Sequence, residues 1–169
     1  GKRIAFNRDI GSTSQVFVMD ADGSNVVQLT DDGDLNKLVA FEEGREDGFD
    51  AWSPDGSKLV FVKLNYQQAN TEGWMKLYVL DVETRTQTPL TSEWGLYQSP
   101  AWSPDGEHVA FTSFLLDEQN QDEPKKISVQ VVGADGTDLV DLTESLPEDE
   151  FSFFIYWSSD GQSVFFDSI

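Results

Sequence analysis

The chain has 169 residues, with 31 Asp and Glu against 11 Lys and Arg, and its formal net charge is −20. A charge of this sign and size argues against nucleic acid and anionic lipid as partners. Cysteine is absent, which excludes disulfides and thiol chemistry, and no apolar run approaches 18 residues, so we expect no membrane span.

A five-residue motif repeats along the chain and sets its organisation. Trp-Ser-Pro-Asp-Gly occurs at residues 52–56 and 102–106, and returns as Trp-Ser-Ser-Asp-Gly at 157–161. Gly1 stands where a further copy would end, so the four glycines are 55, 50 and 55 residues apart. A period of this length indicates a repeat architecture.

Each repeat unit contains four short apolar runs that read as strands. The first run after each glycine covers 3–6, 59–62, 108–111 and 163–166, and the second covers 16–20, 77–81 and 127–131. The third run ends in Leu-Thr, at 29–30, 90–91 and 142–143. The fourth run leads into the tryptophan of the next motif, at 49–52, 99–102 and 154–157. Four short strands with Gly and Asp turns and no helical period indicate one blade of a β-propeller.

The motif has a mechanical explanation in terms of turn geometry. Proline presets φ at the first central position of a type I turn, Asp tolerates the second, and Gly takes the positive φ that follows. The repeated Asp55, Asp105 and Asp160 are therefore predicted to be turn residues that accept backbone N–H groups, not catalytic acids. The tryptophan is large enough to fill the wedge between neighbouring blades.

These features together resemble the PD40 (WD40-like TolB) propeller repeat. The resemblance rests on Trp-Ser-Pro-Asp-Gly, the Ile/Leu-Ala/Val-Phe strand, the Leu-Thr ending, and the stretch Gln-Val-Phe-Val-Met-Asp-Ala-Asp-Gly-Ser-Asn at 15–25. It implies an all-β propeller of four-stranded blades, about three and a half per chain, with units 1–48, 49–96, 97–150 and a partial unit 151–169. It also implies a periplasmic or extracellular location, and we expect no signal peptide within this chain.

About thirteen strands are too few for a propeller of ordinary size, which has four to eight blades. Three arrangements follow from this count. The chain is a fragment of a longer propeller, two chains self-associate to complete one ring, or a single chain closes a small ring. The first two are favoured, because open ends would leave exposed edge strands.

The connections that lengthen the units are candidates for binding. They are residues 31–48, 64–74 and 116–126, and the last two occupy matching positions, so they should project from one face. Aromatic side chains in and near these connections suit contact with a protein or peptide. The predicted partner-binding residues are Tyr66, Trp74, Trp94 and Tyr97.

The residues that could carry catalysis or hold a metal are sparse. His108 is the only histidine, and no Gly-x-Ser-x-Gly elbow accompanies it, so a Ser-His-Asp triad is not expected. One His and no Cys do not build a zinc, iron or copper site. The turn at 20–25 lacks the spacing of an EF-hand. A weak Ca²⁺ site is conceivable only at the acidic cluster of Glu42, Glu43, Glu46, Asp47 and Asp50.

The sequence thus favours a non-enzymatic scaffold that binds a protein or peptide and needs no cofactor. One alternative is the propeller part of a prolyl-oligopeptidase-like or tricorn-like peptidase, without its catalytic domain. Another is a carbohydrate-binding propeller that uses Trp74, Trp94 and Tyr97.

Overall fold

The computed structural model describes residues 2–38, 51–64, 75–116, 124–145 and 155–166. These residues form thirteen β-strands and no helix, which confirms the predicted all-β class. The strands are β1 (Arg3–Ile10), β2 (Thr13–Asp20), β3 (Val27–Gln28), β4 (Leu35–Leu38), β5 (Lys58–Leu64), β6 (Met75–Asp81), β7 (Gln87–Pro89), β8 (Leu96–Trp102), β9 (His108–Leu116), β10 (Pro124–Gly133), β11 (Val140–Asp141), β12 (Ile155–Trp157) and β13 (Val164–Phe166).

The strands lie in three sheets among the described residues. The first sheet has seven strands in the order β1-β2-β4-β5-β6-β7, with β3 beside β2; the second has the order β11-β10-β9-β8; the third pairs β12 with β13. The first sheet includes strands of two predicted units, because β4 pairs with β2 in parallel, Ser14 with Leu35, and with β5 of the next unit antiparallel. The number of blades and their division into four strands therefore stay predictions.

Strand β5 shows why the apolar runs are continuous. Val60 and Val62 pack into one core cluster with β9, whereas Leu59 and Phe61 pack on the opposite side with Val16 of β2. Because side chains alternate between the faces of a strand, burial on both faces requires an unbroken apolar segment. The strand is thus sandwiched between neighbouring layers, as a propeller blade is.

The described part of the predicted strand 49–52 pairs with β5, and the structure adds a strand that was not predicted. This strand, β4, lies inside the predicted connection 31–48 and pairs Leu35 with Leu64. Ala51 and Trp52 cover only the other end of β5, where Trp52 forms a bridge with Leu59. The two segments thus pair with opposite ends of β5.

In the next unit, the single strand β8 occupies the positions that β4 and the segment 51–52 occupy beside β5. It pairs with β9 from Leu96 to Trp102, with a register shift between Gln98 and Ala101. At the corresponding position of the preceding unit, residues 39–50 separate β4 from Ala51.

The Ser-Pro-Asp-Gly turns adopt the predicted conformation. Gly56, Gly106 and Gly161 have φ of 72°, 73° and 69°. The Ser53 hydroxyl donates to Asp55 Oδ1 at 2.7 Å and accepts the Lys58 N–H at 2.9 Å. Serine and aspartate thus close the turn together, and the same pattern returns at the other two copies.

The motif tryptophans link successive units, as predicted. The Trp102 indole N–H donates to the carbonyl of Ala51 at 3.2 Å, and the Trp157 indole N–H donates to that of Ala101 at 3.0 Å. Each ring therefore reaches back to the strand that precedes the previous turn.

The Leu-Thr pairs have a structural role that the sequence reading missed. The N–H of Leu90 donates to the carbonyl of Leu77, and the Thr91 hydroxyl accepts the Leu77 N–H at 3.1 Å. Thr30 and Thr143 accept the N–H groups of Val16 and Val129 in the same way. The threonine side chain thus replaces a backbone acceptor where the outer strand ends.

Candidate functional site

In the described part of the first three units, the ends of the strands lie on two opposite faces of the protein. The Ser-Pro-Asp-Gly turns lie on one face, because β5 starts at Lys58, opposite Asp81. The other face, called here the loop face, contains the end of β5 at Leu64, the start of β6 at Met75, and the start of β8 at Leu96.

Trp94 lies on the loop face beside a lysine. The Lys76 ammonium lies 5.0 Å from the centre of the Trp94 ring, within the range of a cation–π contact. Two backbone hydrogen bonds between Met75 and Gly95, of 2.9 and 3.1 Å, fix the neighbouring residues. The Trp94 ring is half-buried, so part of it stays open to a ligand.

The structure places the other predicted contact residue of this region in the core. Tyr97 is 4% exposed, and the centre of its ring lies 5.6 Å from that of Phe111 in an edge-to-face arrangement. Its hydroxyl donates to the carbonyl of Glu93 at 3.0 Å. Burial raises the pKa of Tyr97. Its side chain therefore offers almost no surface to a partner, and Trp94 is the described member of the predicted set that does.

Several predicted site residues lie outside the described part of the chain. Tyr66 and Trp74 fall within 65–74, and the acidic cluster of the conceivable Ca²⁺ site falls within 39–50. Their positions relative to Trp94 and their roles therefore stay predictions.

A polar network also lies on the loop face, and the sequence reading did not find it. Lys63 Nζ contacts Asp32 Oδ2 at 2.5 Å and Asp34 Oδ2 at 3.1 Å. Asn36, which is fully buried, donates to Asp32 Oδ1 at 2.7 Å and to Gln15 Oε1 at 3.1 Å. The network thus links the connection after β3 to β2, β4 and β5.

The charges of the network support one another. Burial alone would raise the pKa of Asp32, but hydrogen bonds from Lys63 and Asn36 outweigh it and lower the pKa to about 2. Burial likewise lowers the pKa of Lys63, yet its bonds to the two aspartates raise it overall. Both groups are therefore charged at neutral pH.

This pKa shift predicts acid sensitivity at Asp32. Its pKa falls from 3.8 to about 2 on folding, so its stabilisation is complete above pH 3.8 and disappears as the pH falls through about 2. We expect Asp32→Asn to have a lower free energy of unfolding than the unmodified chain at pH 6. This difference in free energy should become smaller as the pH drops. Urea unfolding between pH 6 and 2 measures this. A difference that is independent of pH would contradict it, and Glu83→Gln, at an exposed turn, is the control.

The three motif aspartates accept hydrogen bonds within their own turns. Hydrogen bonds from Ser53 and Ser57 lower the pKa of Asp55 to about 2, and bonds from Ser103 and Ser158 lower the pKa of Asp105 and Asp160. This confirms the predicted turn role of the three aspartates.

The only histidine, His108, lies near a motif tryptophan. The His108 ring lies 6.4 Å from that of Trp157. The described residues contain no group of three or more His, Asp or Glu side chains that could hold a metal ion. They also contain no helix with the length and apolarity needed to cross a membrane.

Comparison with known proteins gives one partial sequence match. No family model matches the chain. A stretch of 78 residues, 44% of this chain, is 35% identical to the "Probable glutamyl endopeptidase, chloroplastic" of Oryza sativa subsp. japonica, but covers only 8% of that protein.

Solved structures match over nearly the whole chain. The putative TolB from Agrobacterium tumefaciens aligns with a TM-score of 0.64 at 22% identity, over 100% of this chain and 51% of that one. A prolyl endopeptidase aligns with a TM-score of 0.66 at 16% identity, over 99% of this chain and 25% of that one. The chain thus spans about half of the first of these proteins and a quarter of the second. At such identities the likeness shows the fold, which is a TolB-like β-propeller fold.

Proposed function

We propose that the chain is a non-enzymatic scaffold of the PD40 repeat type that binds a protein or peptide through its loop face. The observation that carries this proposal is the pairing of Lys76 with the partly open ring of Trp94. Tryptophan is enriched at the energetic centres of protein interfaces, and binding residues concentrate on loops held by a rigid frame.

The charge of the chain defines the partner further. A net charge of −20 attracts basic segments and repels acidic ones. The Trp94 ring already accommodates a cation from Lys76, so a Lys or Arg of a partner would compete for the same ring face. We therefore propose a partner segment that carries basic residues. An envelope or secreted location is part of this proposal, supported by the likeness to TolB.

A second candidate is the propeller part of a peptidase. It is favoured by the 35% identity over 78 residues to a glutamyl endopeptidase and by the likeness to a prolyl endopeptidase. Here the same loop face would admit peptides to a catalytic domain that this chain does not supply. A hydrolase sequence with a Gly-x-Ser-x-Gly elbow after Ile169 in the parent gene would support this candidate.

Peptide selection tests the proposal. A phage-displayed library of random peptides is selected on the immobilised chain, and the affinity of the recovered peptides is measured on variants. We expect enrichment in Lys and Arg, and weakening of about tenfold or more for Trp94→Ala. Lys76→Ala should preserve or improve binding, since it removes the competing cation.

The matched control is Glu83→Ala, an exposed acid on the opposite face. It removes one negative charge but leaves the loop face unaltered, so it should change affinity little. The proposed site would be contradicted if Trp94→Ala left the affinity unchanged. It would also be contradicted if Trp94→Ala and Glu83→Ala lowered the affinity equally.

A further inference from the structure

Asp-Gly pairs recur in the turns of this chain. Six of the seven pairs lie within the described residues, at 22–23, 32–33, 55–56, 105–106, 135–136 and 160–161. Asp-Gly is the dipeptide most prone to isoaspartate formation, because glycine has no side chain to hinder attack by its backbone nitrogen on the aspartate side chain. The repeat therefore places a chemically labile bond in every unit.

The modification is a condensation within the chain, followed by hydrolysis. The glycine nitrogen bonds to Cγ of the aspartate and gives up its proton, while the carboxyl group gives up its hydroxyl. One water thus leaves, and a five-membered succinimide ring closes. Water then opens the ring at the main-chain carbonyl, so that the chain continues through Cγ. The first step needs a protonated carboxyl group and a glycine nitrogen that is free to approach it.

The structure restrains the carboxyl group in the same way at all six pairs. One carboxylate oxygen accepts the backbone N–H of the residue two positions on, at 2.9–3.1 Å. Bonds from Ser and Thr hydroxyls, and then from these N–H groups, lower the pKa of five of the aspartates. At Asp32, burial acts in the opposite direction, but bonds from Lys63 and Asn36 outweigh it. The six carboxylates are therefore ionised and held in place at neutral pH.

The glycine nitrogen is engaged as well. The N–H groups of Gly56 and Gly106 donate to the carbonyls of Ser53 and Ser103, at 2.8 and 2.9 Å. The same bond, to the carbonyl three residues back, forms at Gly23, Gly136 and Gly161. Attack on the aspartate requires this bond to break.

Two turns with the same five residues differ in one hydrogen-bond donor. The hydroxyls of Ser53 and Ser57 both donate to Asp55, at 2.7 and 2.9 Å. In the copy at 102–106, glutamate follows the glycine, so Asp105 lacks the second of these hydroxyls. Because hydrogen bonds to the ionised carboxylate favour that form, the aspartate with the additional donor is the better protected.

We propose that the repeated turn protects its Asp-Gly bond against isoaspartate formation, and that Asp105–Gly106 is modified before Asp55–Gly56. The modification inserts one carbon into the main chain and replaces the side-chain carboxylate by a main-chain one. The turn then loses the bonds between serine and aspartate that close it. Protection thus preserves the connection between each motif tryptophan and the strand that follows.

Isoaspartate measured site by site tests the proposal. The full chain is kept for several weeks at mildly acidic pH, folded in buffer or unfolded in guanidinium chloride. Mass spectrometry of its peptides with electron-transfer fragmentation distinguishes isoaspartate from aspartate. In the folded chain, we expect formation at the five turns with a bonded glycine N–H to be slower by about tenfold or more, the effect of one pKa unit on the protonated fraction.

The order of the two matched turns is the sharper result. Asp105–Gly106 should react faster than Asp55–Gly56 in the folded chain, by about twofold to tenfold, the effect of one hydrogen bond. In guanidinium chloride the two should react at similar rates. Equal rates in the folded and unfolded chain would overturn the proposal, and so would a folded chain in which Asp105 reacts no faster than Asp55.

Substitutions after the glycine separate the hydroxyl from the rest of the turn. Ser57→Ala should raise the rate at Asp55 towards that at Asp105, and Glu107→Ser should lower the rate at Asp105. Rates at the other turns of the same molecule show whether each variant still folds. Unchanged rates in both folded variants would overturn the role given to the hydroxyl.

Discussion

Replacing Trp102 with alanine is expected to lower the free energy of unfolding by about 3 kcal/mol, the lower end of the range for large aromatic side chains. The Trp102 ring packs against the core cluster shared by β5, β6 and β9, and its indole N–H reaches Ala51 in the preceding unit. The variant thus removes apolar burial and the link between units together. Urea unfolding followed by tryptophan fluorescence measures the loss.

Trp102→Phe separates these two contributions. Phenylalanine keeps most of the apolar contact but has no N–H, so we expect a loss of only about 1 kcal/mol, the net value of one hydrogen bond. If both variants lost less than about 0.5 kcal/mol, the scale of ordinary surface substitutions, the tryptophan would not join the units.

Replacing Gly136 with alanine is expected to cost about 3 kcal/mol. The glycine has φ of 83°, and an added Cβ would lie 2.5 Å from the backbone carbonyl oxygen of Pro89 in the neighbouring unit. Left-handed backbone costs a residue with a Cβ about 1–2 kcal/mol, and overpacking against rigid atoms adds about 1–3 kcal/mol. Thermal unfolding of the purified variant measures the sum.

Gly23→Ala is the matched control for this prediction. Gly23 has φ of 85° in the equivalent turn of the first unit, but no atom lies within 4 Å of its added Cβ. It should therefore cost only the backbone term, about 1–2 kcal/mol. If Gly136→Ala and Gly23→Ala lowered the free energy of unfolding equally, the contact between Gly136 and Pro89 of the neighbouring unit would be contradicted.

The parts of the fold that could be predicted from the sequence are those that local geometry determines. The Ser-Pro-Asp-Gly turn forms from bonds between Ser53, Asp55 and Lys58, which lie within six residues of one another. The repeat also predicted the position of Trp102 between units, because each copy places the same ring at the same point. The class of the fold follows from these repeated local features.

The parts that could not be predicted depend on pairing between distant residues. Nothing in the segment Leu35–Leu38 marks it as a strand, since its partners lie along the far half of β5. The bonds of Lys63 to Asp32 and Asp34 span about thirty residues of sequence and need that pairing to form. The repeated threonine of Leu-Thr was a visible signal, but its role required the backbone of the neighbouring strand.

The candidate site was predicted only in part, for a reason of burial. Trp94 and Tyr97 are three residues apart, and their aromatic character suggested the same role for both. The strand geometry of β8 turns Tyr97 into the core against Phe111, whereas Trp94 precedes the strand and stays half-buried on the loop face. Aromatic composition alone does not distinguish these two positions.

Hydrogen exchange of the tryptophan indole N–H groups, followed by NMR, tests most directly that the motif joins successive propeller units. Trp102→Phe and Trp157→Phe identify the two signals by their loss. The account predicts that both N–H groups exchange far more slowly than free indole. It also predicts that the exchange of the Trp102 N–H becomes faster as added urea lowers the stability of the fold. Exchange of both signals at the rate of free indole would contradict the packing of the units described here.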